Sequence, residues 1–361
     1  MKVTKFGGSS MADAGQYRKV KEIIESDPAR RVVVVSAAGK RFPDDHKITD
    51  LLYLCYSHTK YGVRCDAVFD MVASRYCEIR DELGLELDLE TEFAQLKERI
   101  DKKKVTREEL VSRGEYYSAK LMAAFLDFQF VDAADWVKFN LDGTVDMEQT
   151  YQALRELSWI GKGIVTPGFY GVMPDGSIHT FSRGGSDVTG ALAAAILEAD
   201  LYENWTDVPG VLEADPKLIP EAAPLARISY GQLQQLSEAG MQVLHEDAVA
   251  PVRRAGIPLN IRSTREPEKP GTMICEDCLT TGLALAGRRN LTLPGQPGTL
   301  ALLAAAFPRD WDLTAALDQV DHVCLVREPG ALRVLLADRD YPEAVRRLYD
   351  LGHSFHGYTV P

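Results

Sequence analysis

The chain has 361 residues, 45% of them hydrophobic and 26% charged, with a formal net charge of -12. This composition belongs to a folded protein of one large and one smaller domain. It excludes a nucleic-acid surface, because no basic stretch outweighs the acids; the short run Lys102-Lys103-Lys104 reads as a solvated face.

No apolar run approaches membrane-spanning length, and the N-terminal residues carry no signal-peptide core. The six cysteines are scattered, as expected of reduced thiols in the cytoplasm. Cys275-Glu276-Asp277-Cys278 is a CxxC without a second pair or nearby histidines, so the reading of two ordinary thiols stands ahead of a metal or redox site. A cytoplasmic protein is expected.

Residues 2–6 predict a short strand broken by Gly7-Gly8-Ser9-Ser10, and Ser10 with Asp13 predicts a capped helix start. Arg31–Ser36 is a continuous β-branched run, the pattern of a strand covered on both faces of a parallel sheet. Strand, glycine turn, helix and strand make a βαβ unit, so the fold class is α/β. No GxGxxG follows a strand and no GxxxxGK[ST] occurs. Lys5, fixed at the end of the first strand, is placed to neutralise a phosphoryl group.

From about Asp50 to Phe130 the pattern is helical, with a capping box at Thr106–Glu109. Glu115 on that helix lies at the edge of an apolar face or points into a pocket, where it would hold an ammonium group. Strands are expected around Val131–Phe139 and Gly163–Phe169, followed by a hairpin turn at Met173–Ser177.

The stretch Phe181-Ser182-Arg183-Gly184-Gly185-Ser186-Asp187 comes next, with Ser186 and Asp187 standing as N-cap candidates for the helix after it. Two glycines before a helix start suit a carboxylate or phosphate, and equally suit a plain capped helix. Leu201–Trp205 predicts a strand whose carboxyl end carries Thr206 and Asp207 toward a ligand. Asp215-Pro216-Lys217 alone reads as a turn with an exposed lysine.

Ser229 caps a helix that Gly240 ends, Gln242–Arg254 predicts another helix, and Pro258–Ser263 predicts the last strand of the large domain. Thr264–Thr272 is read as a boundary loop. The tail predicts strand 283–293, helix 298–307, strands 322–327 and 331–337, helix 341–351 and strand 353–360, a ferredoxin-like βαββαβ order.

Read together, these motifs resemble the aspartate kinases of the amino acid kinase superfamily. Lys5-Phe6-Gly7-Gly8-Ser9-Ser10 is similar to their KFGG(T/S)S opening, and Ser36 to Leu52 to their strand-to-helix segment. Val111-Ser112-Arg113-Gly114-Glu115 is similar to their (V/I)-S-x-G-E helix, and Phe181–Asp187 to their glycine loop. Trp205–Gly210 with Ala214–Lys217 resembles their nucleotide loop, and Gly240–His245 their G-x-x-VLH helix start. The motifs run in order over roughly residues 1–275.

The resemblance implies an amino-acid-kinase fold, a mainly parallel eight-stranded sheet between helix layers, over residues 1–275. It implies a single, shortened ACT-like domain over 281–361 for regulation or dimerisation. The implied activity is ATP-dependent phosphorylation of the side-chain carboxylate of L-aspartate, the first step toward lysine, threonine and methionine.

Carried over by position, Lys5 would neutralise the moving phosphoryl group and Asp187 would organise Lys5 and substrate. Ser36, Thr49, Glu115, Arg183 and Ser186 would bind the substrate, with Arg183 gripping its α-carboxylate and Glu115 its ammonium. Lys5, Gly7, Gly8, Ser9, Thr206, Asp207, Leu212, Asp215, Lys217, Gln242 and Val243 would meet ATP. Mg²⁺ would ride on the ATP phosphates without protein ligands of its own. A homodimer and an amino-acid effector at the C-terminal domain are further implications.

The chain departs from the family where Gln242 replaces a lysine, Glu246 a proline, Leu212 a tyrosine and Lys217 an arginine. Two other readings stay open at this point: a kinase of another small carboxylate such as glutamate, and a ligand-binding relative with weakened catalysis.

Overall fold

In the computed structural model, residues 1–361 are described except 158–160, 183, 242, 243, 245, 294–297 and 356–361, and except the side chains of Glu246 and Asp247. Strand β1 (Lys2–Phe6) leads through a 3-10 turn at Gly8–Met11 into helix α1 (Ala14–Glu25) and strand β2 (Arg30–Val35). Val32 to Val35 are all buried, as their unbroken β-branched run requires. The cap of α1 is Asp13, whose side chain accepts from Gln16 N at 2.9 Å; Ser10 is taken into the preceding turn instead.

Helices α2 (Ile48–Lys60), α3 (Asp66–Leu83), α4 (Leu89–Asp101) and α5 (Arg107–Leu126) follow. Thr106 caps α5 as its capping box predicts, accepting from Glu109 N at 3.1 Å. Then come β3 (Gln129–Phe130), α6 (Ala133–Trp136), α7 (Met147–Glu156), β4 (Ile164–Pro167) and the hairpin β5 (Tyr170–Val172) and β6 (Ile178–Thr180). The strand expected over Val131–Phe139 is largely replaced by α6, because the Asp132 side chain caps Ala134 N at 3.0 Å and Trp136 is fully buried.

The chain continues with α8 (Gly185–Ile196), β7 (Leu201–Thr206), β8 (Arg227–Ser229), α9 (Tyr230–Glu238), α10 (Glu246–Arg254) and β9 (Leu259–Ser263). It ends with β10 (Thr272–Cys275), β11 (Ala284–Leu291), β12 (Leu300–Ala306), β13 (His322–Glu328), β14 (Ala331–Ala337) and α11 (Tyr341–Phe355).

Two compact units result. The first comprises Met1–Asp207 and Asp247–Ile257; the second comprises Val208–Glu246 and Pro258–Pro361. In the first unit the strands run β3-β4-β2-β1-β7, every neighbouring pair parallel. Its core joins Phe6, Val33 and Val35 to Tyr17, Leu52, Tyr76, Phe93 and Met122 from the helices.

In the second unit β10 lies between β9, antiparallel, and β8, parallel. These five and three strands make up the eight expected, and seven of the eight have a parallel neighbour within their unit. Strand β10 follows the stretch read as a boundary loop, so β9 is not the last strand of that set.

The tail forms a four-stranded antiparallel sheet, β11-β12-β14-β13, with α11 closing a core of Leu285, Leu303, Val334, Leu336 and Leu348. This antiparallel module is consistent with the ACT-like region expected, but its first predicted helix is a strand. Leu300–Ala306 is alanine-rich and reads as helical. As β12 it pairs with β11 on one side and β14 on the other, and two ladders plus burial outweigh intrinsic propensity. Of the strand expected at 353–360, residues 353–355 belong to α11 and the rest lie outside the described residues.

Candidate active site

Parallel pairing brings the carboxyl ends of β1, β2, β4 and β7 to one edge of the first unit, where ligands of open α/β sheets bind. Lys5 stands there in register with Asn204 of β7. Its Nζ lies 2.6 Å from Asp187 Oδ1 in the first turn of α8, and the lysine side chain is only 10% exposed. Asn204 Nδ2 donates to the same Oδ1 at 2.8 Å, and the Tyr202 hydroxyl donates to the Asp187 carbonyl at 3.0 Å. Asp187 is thereby held at both its carboxylate and its backbone.

The glycine turn after β1 is packed against the exit of β2. Gly7 N donates to Trp205 O at 3.2 Å, and Gly39 N donates to Gly8 O at 2.8 Å. A Cβ on Gly8 would lie 2.9 Å from Ala37 O, and one on Gly39 would lie 2.7 Å from Gly8 C, so neither position accommodates a side chain without movement. Ser9 is exposed in this turn. Ser36 follows β2 with its N–H on Phe6 O at 3.1 Å, and Thr49 stands half-buried in the first turn of α2, beside Ile48, whose N–H reaches Ala38 O at 3.0 Å.

Glu115 is not half-exposed at the edge of an apolar face but buried. It is 5% exposed on α5, and its Oε2 has no hydrogen-bond partner among the described residues. Burial pushes its carboxyl up to about 8, only partly offset by a backbone hydrogen bond at Ala37. Gly114 lets α5 approach this close, since a Cβ there would sit 2.7 Å from the Ala37 Cβ. Tyr76, from α3, donates to Gly114 O at 2.6 Å and anchors the same turn.

The start of α8 differs from the expected cap. Gly184 is the N-cap, with φ +57°, and makes no side-chain cap bond; Ser186 and Asp187 both lie inside the first turn. This frees the Asp187 carboxylate for Lys5. Ser186 is nearly buried, and a Cβ on Gly168, beyond β4, would fall 2.5 Å from its Cβ. Arg183 lies outside the described residues, as do Gln242 and Val243.

Thr206 and Asp207 close the first unit at the end of β7, with Thr206 Oγ1 donating to Asp207 Oδ1 at 3.4 Å. The second unit contains Leu212, bridged to Pro224, and an exposed turn in which Asp215 Oδ1 accepts from Lys217 N at 2.9 Å. The structure therefore assembles Lys5, Gly7, Gly8 and Asp187 into one cluster. The Ser36 backbone bonds Phe6, the Ile48 backbone beside Thr49 bonds Ala38, and the Glu115 carboxyl meets the Ala37 backbone.

Sequence reasoning missed Asn204, Tyr76 and Gly39. Asn204 had a signal: a buried amide in the middle of a strand, Leu201–Thr206, needs a polar partner. Tyr76 and Gly39 had none, because their roles come from long-range packing.

The first unit is thus an α/β fold with a parallel sheet whose carboxyl edge carries the Lys5–Asp187 pair beside a glycine turn. The family model described as "Amino acid kinase family" matches residues 1–263, and the chain belongs to that family. Similar proteins include aspartokinases. Aspartokinase 3 of Bacillus subtilis is 37% identical over 287 residues, 76% of this chain, and the chain spans 63% of that relative's length. The lysine-sensitive aspartokinase 3 of Escherichia coli is 32% identical over 314 residues, 81% of this chain and 68% of the relative. The solved aspartate kinase of Clostridium acetobutylicum superposes with a TM-score of 0.88 at 32% identity, covering 98% of this chain and 100% of that one.

Proposed function

We propose that the chain transfers the γ-phosphoryl group of ATP to the side-chain carboxylate of L-aspartate, giving 4-phospho-L-aspartate and ADP. The observation that carries this reading is Glu115, a buried carboxyl with an unpartnered oxygen beside the glycine-lined loop. An α-ammonium group is the partner that would satisfy it, which favours an amino acid over a plain carboxylate. The aspartokinase names of the relatives support aspartate in particular.

The reaction brings two anions together, so positioning and charge neutralisation dominate it. Lys5 neutralises the phosphoryl group in transfer. Asp187, fixed by Asn204, orients Lys5 and does not act as a strong base, since the nucleophile is already a carboxylate. Gly7 and Gly8 form a turn that a Cβ at Gly8 would clash with, which suits a phosphate cradle. Mg²⁺ entering with ATP would supply further charge neutralisation to the phosphates.

Arg183 is proposed to grip the α-carboxylate, and Ser36, Thr49 and Ser186 to contribute the remaining polar contacts with substrate. Ser9, Thr206, Asp207, Leu212, Asp215, Lys217, Gln242 and Val243 are kept as proposed nucleotide contacts on the resemblance of their motifs. Residues 1–275 are proposed as the catalytic region, and 281–361 as a module for dimerisation and for binding an amino-acid effector, in a cytoplasmic enzyme.

The test is ADP release with aspartate, glutamate and N-acetylglutamate in the presence of Mg²⁺, trapping the acyl phosphate with hydroxylamine. Aspartate-dependent ADP with a trapped hydroxamate is expected. ADP release that ignores aspartate removes the proposal.

A further inference from the structure

The thiols expected to be reduced throughout include one pair that is not: Cys275 and Cys278 are joined, with their Cα atoms 5.2 Å apart, inside the range of about 4.4–6.8 Å that a disulfide occupies. Cys275 is the last residue of β10 and sits in register with Ser229, the residue that caps α9. Both cysteines are half-buried, so a small reagent reaches them, whereas Cys55 and Cys65 are buried.

The bond braces one wall of a cavity of about 580 Å³ within the second unit. That wall is the segment from Glu276 to Thr280 together with Gln232 and Gln235 of α9; Phe307 and Arg309 stand among the other lining residues. The wall is tied together at one amide. Gln232 Oε1 accepts from Thr280 Oγ1 and, at 3.1 Å, from Ser229 Oγ. Gln232 Nε2 donates to Phe307 O at 3.0 Å and to Gly330 O at 2.8 Å. One residue further along, Thr281 N donates to Arg227 O at 3.2 Å. The disulfide is thus the covalent tie at one end of a turn whose other end is held by Thr280 and Thr281.

We propose that Cys275–Cys278 is a reversible thiol–disulfide exchange site for small thiols, and that its state sets how firmly the 276–280 wall of this cavity is held. The chemistry balances without any resident cofactor. A thiolate attacks one cysteine sulfur, the S–S bond breaks, and the other cysteine leaves as a thiolate that takes up a proton. A second small thiol then attacks the mixed disulfide, releasing the remaining cysteine as a thiol. Two electrons and two protons pass to the protein, and two small thiols become one small disulfide. The small disulfide of the same class drives the reverse step. Reduction removes the short closed loop, and the 276–280 turn opens locally while the sheet stays paired.

The experiment is to equilibrate the full chain in a series of reduced and oxidised glutathione buffers. Alkylation with peptide mass analysis then counts the thiols, and amide hydrogen exchange is followed in the two end states. Cys275 and Cys278 are expected to change together as one two-electron couple while Cys55, Cys65, Cys77 and Cys324 stay alkylatable after unfolding. Amides in 276–281 should exchange at least tenfold faster in the reduced form, and a C275S/C278S double variant should show the fast rate in every buffer. Two results would overturn the proposal: both cysteines alkylated in full at every ratio, or equal exchange rates for 276–281 in the two forms. Neither readout depends on kinase activity, so this test stands apart from the one for the proposed reaction.

Discussion

Lys5 Nζ and Asp187 Oδ1 lie 2.6 Å apart at the carboxyl edge of the parallel sheet, with Asn204 Nδ2 on the same oxygen at 2.8 Å. The pair joins the first strand to a helix that starts 180 residues later, and in the proposed reaction it would set a cation where phosphoryl charge develops. Losing one such charge-stabilising group costs a rate factor of about 10²–10³. Lys5→Ala should therefore lower kcat by at least that factor with the far-ultraviolet circular dichroism unchanged. Asn204→Leu should give a smaller loss, because it frees Asp187 without removing the cation. Full activity in Lys5→Ala would refute the assigned role.

Glu115 makes stability depend on pH in a direction unusual for a carboxylate. Its folded pKa is about 8, against an unfolded value of about 4.3. Between these limits the folded state keeps a proton that the unfolded state has lost, so stability falls as pH rises, by up to about 1.4 kcal/mol per unit. Urea unfolding of the unliganded protein from pH 5 to 8 should show this slope, and Glu115→Gln should flatten it.

If the proposed reaction holds, the same group would couple substrate to protons. An ammonium beside Glu115 favours the carboxylate, so aspartate binding at pH 7 should release close to one proton. Calorimetry in buffers of different ionisation enthalpy measures that number directly. In Glu115→Gln the release should vanish and the KM for aspartate should rise at least tenfold; an unchanged KM would show that this carboxyl does not meet the substrate.

Gly114 is where packing controls the site. A Cβ at this position would come 2.7 Å from the Ala37 Cβ and 3.5 Å from Ile48 Cγ2. Overpacking of this kind costs typically 1–3 kcal/mol. Gly114→Ala should lower the unfolding midpoint accordingly and raise the KM for aspartate more than that for ATP, since Ala37 lies beside Glu115.

Arg30 and Glu203 form a buried pair that links β2 to β7 across β1, with Nε to Oε2 at 2.7 Å and Nη2 to Oε1 at 3.1 Å. Trp205 Nε1 also donates to Glu203, at 3.0 Å, and Arg30 Nη1 reaches Ile23 O at 2.5 Å. Removing one member of such a pair costs about 3–5 kcal/mol. Arg30→Met should lose that much stability in denaturant titration, whereas an Arg30→Met, Glu203→Leu double variant should recover part of it.

Much of the first unit was legible in advance. The valine run of β2, the capping box of α5 and the turn at Met173–Ser177 are local signals, and each became the element it predicts. Local signals failed where a non-local partner outweighed them. Leu300–Ala306 carries the alanines of a helix but lies between two strands, and Ser186 offers a cap that the left-handed Gly184 makes unnecessary.

The sequence by itself determined the α/β class, the motif set of an amino acid kinase and the chemical types of the site residues. Those properties follow from residue identity and short-range spacing. Only the tertiary structure decided that Asn204 holds Asp187, that Glu115 is buried with an open oxygen, that β12 is a strand, and that Cys275 and Cys278 are joined. Each of these depends on desolvation, backbone pairing or contact with another part of the fold, and none of those quantities exists until the chain has closed on itself.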